Sequence, residues 1–205
     1  VGRVDAATTD LQQAQSSDAR PGDALVLMAI AAVVQNKKEK ARQLIDEAMA
    51  HPPVSIGVDM ANAYVQQAFF DIDGSLASVR TATQKDPGNA LAWARLSELY
   101  LSRGERTQGL SAAQRAAELR PDLAHTMTVL GFARLAQIKT EQAKQAFSKA
   151  IASDSAAPMA RLGMGLAKIR DGQLAEGRSE IEIAACLDPG SALIRSYLGK
   201  AYYEE

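Results

Sequence analysis

A chain of 205 residues with 47% hydrophobic content can bury a sizeable core, and a mean hydropathy of −0.15 is that of a folded protein with a wet surface. Lysine plus arginine number 23 against 24 for aspartate plus glutamate, a net charge of −1, so no basic field exists to draw in nucleic acid or an anionic membrane. The single cysteine, Cys186, excludes an internal disulfide and a cysteine-rich metal site, and leaves the compartment open.

The first marked element is the run Leu25 to Val34, LVLMAIAAVV, ten apolar residues in a row. A bilayer-spanning helix needs about 20, and charged residues flank the run on both sides, from Asp18, Arg20 and Asp23 to Lys37, Lys38, Glu39 and Lys40. It is too short to span. A signal peptide places positive charge before its apolar stretch, and here acidic residues precede it and lysines follow. The chain starts at Val1 rather than Met, which reads as a piece of something longer.

Prolines stand at 53, 87, 121 and 189, separated by 34, 34 and twice 34 residues, with Ser155 in the skipped slot. In that register small residues fall into two columns: Ala29, Ala63, Ser97, Gly131, Gly165 and Gly199, then Ala48, Ala82, Ala116, Ala150 and Ala184. A helix pair whose axes approach closely needs Ala, Gly or Ser at the crossing and larger residues beside it. Leu25, Met28, Trp93, Leu96, Tyr100, Leu130, Phe147, Met164, Ile181 and Leu198 are those larger residues. Asn36, Gly104 and Gly172 share the slot where the first helix of each unit ends in the left-handed conformation. The prolines end the second helices, and Asn89, Asp122 and Ser191 offer caps for the helices that follow. No stretch alternates with period two over a useful length, so no strands are assigned.

Trp93-x2-Leu96-Ser97-x2-Tyr100, Leu130-Gly131 with Ala143-x3-Phe147-x2-Ala150, and the closing prolines resemble the tetratricopeptide repeat (TPR) family. The chain departs from that pattern at Phe70 and Ile138, which replace the mid-repeat glycine, at Gly109 and Gly177, which replace alanine, and at Asp59, where a large apolar residue is usual. The C-terminal part, from Pro158 to Glu205, also resembles TPR regions of large bacterial envelope proteins, which favours a periplasmic over a cytoplasmic location. The resemblance implies an all-α, right-handed superhelical solenoid of antiparallel helix pairs. Within one solenoid spanning 1–205, the register places the second helix of a truncated repeat in 1–21, with Ala7, Leu11 and Ala14 in its columns. Full repeats follow at 22–55, 56–89, 90–123, 124–157 and 158–191, and the first helix of a further truncated repeat at 192–205. Further repeats are expected on both sides, since an uncapped helix leaves its apolar face bare.

No catalytic constellation stands out, and no cofactor or metal is implied. His51 and His125, the two histidines, are 74 residues apart in sequence. The GxG of Gly163 and Gly165 lacks the preceding strand of a dinucleotide loop, so both glycines read as packing positions. Asp71-Ile72-Asp73-Gly74 has neither the glycine spacing nor the twelfth-position glutamate of a calcium loop, Ala82 standing there instead. Cys186 reads as a buried, inert thiol, and Glu176, Glu180 and Glu182, interleaved with Arg178, as a solvated helix face.

In stacked helix pairs the first helices line the concave surface. The partner-binding positions are therefore Val26, Ile30, Val33, Met60, Tyr64, Arg95, Phe132, Met159, Leu166 and Tyr197, together with His125, Thr128 and Leu162. Family members that hold the carboxylate tail of chaperones place lysine, asparagine and arginine at such positions; here Arg95 alone fits, beside Glu98. A charged-tail clamp is thus rejected. The expectation is a non-catalytic protein–protein interaction scaffold whose groove takes an apolar peptide or helix of a partner, with Tyr64, Phe132 and Tyr197 as anchors. The alternatives are a homotypic self-assembly module and an accessory repeat region of a larger envelope synthesis or export protein. No nucleic acid and no membrane insertion by this segment are expected.

Overall fold

The computed structural model describes residues 21–204, so the helix expected within 1–21 lies outside the described residues but for its last position. The chain divides between Gly88 and Asn89 into two compact units. Unit 1 holds α1 (Pro21–Val34), α2 (Lys38–Met49), α3 (Ile56–Ala68) and α4 (Ile72–Lys85). Unit 2 holds α5 (Ala90–Ser102), α6 (Arg106–Leu119), α7 (Ala124–Ala136), α8 (Thr140–Ser153), α9 (Pro158–Arg170), α10 (Leu174–Leu187) and α11 (Ala192–Glu204). No strand occurs among the described residues, and none of their helices is long and apolar enough to cross a membrane.

Each odd-numbered helix from α1 to α9 packs antiparallel on the next, α1 also touches α3, α5 touches α7, α7 touches α9, and α11 packs on α10. The apolar spacing explains the pairing. α2 buries Ala41, Leu44, Ile45 and Ala48, and α8 buries Ala143, Ala146, Phe147 and Ala150, positions i, i+3, i+4 and i+7 that make one stripe of a helix. The small-residue columns mark the crossings: Ala29, Ala63, Ser97, Ala82, Ala116, Ala150 and Ala184 have essentially no exposed surface. There the backbones meet. Ser75 Oγ donates to the Ala63 carbonyl at 2.8 Å, and Ser97 Oγ to the Gly109 carbonyl at 2.8 Å, each joining a first helix to its second.

One stop device recurs five times. Residues 36, 70, 104, 138 and 172 all have positive φ, between 57° and 82°. After each, the next amide reaches back five residues, as in Lys37 to Ala32, Asp71 to Gln66 and Gln173 to Lys168, at 2.8 to 3.0 Å. Phe70 and Ile138 therefore keep the glycine conformation without being glycine. A left-handed residue with a Cβ costs about 1–2 kcal/mol, more so when β-branched, whereas glycine gives back about 0.5–1 kcal/mol through the unfolded chain. Ile138 is largely exposed, so little packing is lost with it. Ile138→Gly is expected to stabilise unit 2 by about 1 kcal/mol, read as a higher urea midpoint at unchanged slope.

Capping follows expectation at two of three sites. The Asn89 side chain accepts from Ala92 N–H at 3.1 Å and Ser191 Oγ from Ile194 N–H at 3.4 Å. Asp122 instead takes both its oxygens to Arg120 at 2.9 Å, leaving Leu123 as an N-cap without a side-chain bond. Asp59 is buried on α3 because Lys85, in the last turn of α4, reaches it at 2.6 Å and also donates to the Val54 carbonyl. That ion pair ties the start of one helix to the end of its partner, where an apolar contact would otherwise serve.

Candidate functional site

The opening run LVLMAIAAVV is most of α1. Leu25, Val26, Met28, Ala29 and Ala32 are buried against α2 and α3, while Leu27, Ile30 and Val34 look outward. Of the expected partner-binding positions in unit 1, Val26 is thus buried. Val33 and Met60 are half-buried, and Ile30 and Tyr64 are exposed on α1 and α3, which pack side by side.

Unit 2 brings five of those expected positions together, Leu162 among them. Phe132, Met159, Leu166 and Tyr197 line one cleft of about 320 Å³ with Leu135, Ala136, Leu162, Arg170 and Leu193. Its walls come from α7, α9 and α11, three first helices in a row. Phe132 is steadied from behind by Phe147, whose ring meets it edge-on at 5.1 Å. Met159 and Tyr197 are the accessible lips, 38% and 36% exposed. Leu193 and Arg170 were not among the expected positions. The signal for Leu193 was nonetheless present, because it stands 34 residues after Met159, itself 34 after His125.

Arg95 is buried, not displayed: its guanidinium bonds Glu98 Oε2 at 3.0 Å, and Glu98 Oε1 lies 3.5 Å from His125 Nε2 on α7. The neutralisation leaves no clamp for a carboxylate there. Thr128 is also turned inward, its hydroxyl donating to the Ala124 carbonyl at 2.7 Å.

Other polar groups take structural work. Asp71 caps α4, accepting from Gly74 N–H at 2.9 Å, and no group of three or more metal-ligating side chains occurs among the described residues. Both glycines of the GxG pack helices: a Cβ at Gly163 would overlap the Phe147 ring, and one at Gly165 would lie 2.6 Å from the Gly177 carbonyl oxygen. Cys186, expected to be buried, is exposed, because it projects from α10 on the side away from Ile181 and Ala184. Nor is Glu180 a solvated charge. It holds Arg161 at 2.9 Å and Lys168 at 2.8 Å, bridging α10 to α9. Burial by itself would raise its pKa, but the hydrogen bonds and charges of Lys168 and Arg161 outweigh that and hold it below the ordinary glutamate value. The bridge therefore contributes fully above pH about 4.5 and is lost as acid protonates the folded-state carboxylate. Glu180→Gln is expected to cost about 1 kcal/mol at pH 7 and to flatten the acid limb of a stability-versus-pH curve.

No family model matches the sequence, and no curated protein matches it. Solved structures do. A thermophilic TPR protein of Thermus thermophilus superposes with a TM-score of 0.77 at 17% identity, covering 89% of this chain and 99% of that one. PilF of Pseudomonas aeruginosa gives 0.71 at 20% identity over 89% and 84% of the two chains. YrrB, a TPR protein with an unusual peptide-binding site, gives 0.58 at 14% identity over 93% and 97%. Helix pairs whose second helices begin every 34 residues, small-residue crossings and this likeness together show that the chain has the tetratricopeptide-repeat fold.

Proposed function

We propose that this chain is a non-catalytic scaffold that holds an apolar segment of a partner protein in the cleft between α7, α9 and α11. The observation that carries the reading is the cleft itself, about 320 Å³ walled by apolar side chains from three consecutive first helices. Concave apolar sites with few polar groups are where proteins bind, and helices or extended segments lie naturally along such grooves. The description of YrrB as having a peptide-binding site supports the same reading by analogy of fold. Exposed Ile30 and Tyr64, with half-buried Met60, add apolar surface on α1 and α3 in unit 1.

Met159 and Tyr197 are accessible enough to be removed without collapsing the core. In the Met159→Ala, Tyr197→Ala variant, partner capture is expected to fall at least tenfold, while circular dichroism stays helical. Undiminished capture by that variant, measured by pull-down and mass spectrometry beside the unaltered chain, would remove the groove from the account.

Self-association is a second reading, supported by α11. Tyr203 is 91% exposed there, and Gly199, alone in its column, has nothing within 4 Å of where a Cβ would sit. A light-scattering series over concentration decides it: mass that rises with concentration supports assembly, and a constant monomer mass excludes it.

A further inference from the structure

Resting on the groove reading, we infer that the bound segment carries an acidic side chain beside its apolar anchor, and that Arg170 receives it. Arg170 is the one charged residue in the cleft lining. It closes α9, is exposed, and donates a single N–H to the Leu135 carbonyl at 3.3 Å. A guanidinium has five such donors in a planar fork, so one long bond leaves the fork available for both oxygens of a carboxylate.

No described residue supplies that carboxylate. Of the three cations in α9's sequence, Arg161 and Lys168 share Glu180. Asp171, next to Arg170, is taken by Lys144. Among the described residues no acidic group pairs with Arg170. An unneutralised cation at the edge of apolar walls attracts a carboxylate more strongly than one in open water, because the walls lower the local dielectric. Capture of a chain terminus calls for several converging donors. The lining offers Arg170 and, besides it, only the Tyr197 hydroxyl, which favours an internal Asp or Glu next to a buried Leu, Ile, Met or Phe.

The test selects a random dodecapeptide phage library on the immobilised 205-residue chain. Selected sequences are then made as fluorescent peptides with amidated ends and titrated by anisotropy. The expected consensus joins an apolar residue to an acidic one. Changing that residue to Gln in the peptide, or Arg170→Gln in the protein, is expected to weaken binding about tenfold, without adding when combined. Arg170→Glu is expected to prefer a peptide with Lys in its place. Peptides that lose affinity with Tyr197→Ala but ignore Arg170→Gln would overturn this inference and leave the groove standing. Binding that requires a free C-terminal carboxylate would also overturn it. Failure to select any peptide sensitive to Tyr197→Ala would remove the groove reading and this one together.

Discussion

Phe147→Ala is expected to destabilise unit 2 by about 3–5 kcal/mol. Phe147 is the largest fully buried side chain among the described residues and has no exposed surface. It comes from α8 and lies between Gly131 of α7 and Gly163 of α9, each of which would drive a Cβ into the ring. Two glycines have thus given up their side chains to make room for one phenyl. Removing the ring leaves a void with backbone on two sides, which cannot collapse without moving whole helices, so the cavity cost adds to the lost transfer energy. The loss also reaches the proposed cleft, because Phe132 leans on the same ring. Urea unfolding measures the effect. A double-mutant cycle tests its cause: Gly131→Ala is expected to cost about 1–3 kcal/mol alone and to cost little once position 147 is alanine. Equal costs in both backgrounds would show that the ring is not what Gly131 accommodates.

Gly165→Ala and Gly199→Ala, the same substitution in the same sequence column, are expected to act in opposite directions. At Gly165 the added methyl would meet the carbonyl oxygen of Gly177 at 2.6 Å, and a Cβ at Gly177 would meet that of Gly165 at 2.7 Å. These are backbone atoms, and no rotamer change relieves them. α9 and α10 must separate, at about 1–3 kcal/mol, which exceeds the gain of up to 1 kcal/mol from better helix propensity. At Gly199 there is open space, so the propensity gain stands alone and α11 is stabilised by about 0.5–1 kcal/mol. Thermal unfolding of the two variants reads both signs. A stabilised Gly165→Ala protein would mean that the two helices do not cross at that point.

Those two glycines also show how far the sequence could be read. Its 34-residue period and its columns of small residues were sufficient for the helix pairs and for every crossing but that at Gly199, because each depends on neighbours close in the chain, and the class of fold came with the resemblance those residues carry. The left-handed stop was legible where Asn36, Gly104 and Gly172 stand. At Phe70 and Ile138 the residue type argues against the conformation, and the surrounding pair of helices imposes it nonetheless. In the proposed site, Phe132, Met159, Leu166 and Tyr197 could be named from register alone, and Leu193 was within reach of the same register.

What the tertiary structure alone decided is which side chains remain exposed. Val26 and Arg95 share the register of groove positions yet are buried, one against its neighbouring helices and the other on Glu98. Cys186 and Gly199 have the residue types of a core yet face outward. Glu180 looks like surface charge and is a clasp between two helices, whereas Arg170 looks like any helix-ending arginine and stands without an acidic partner among the described residues. Local backbone preference and spacing act over a few residues and are written along the chain. Exposure and charge pairing are sums over every helix that packs nearby, and only the folded arrangement adds them up.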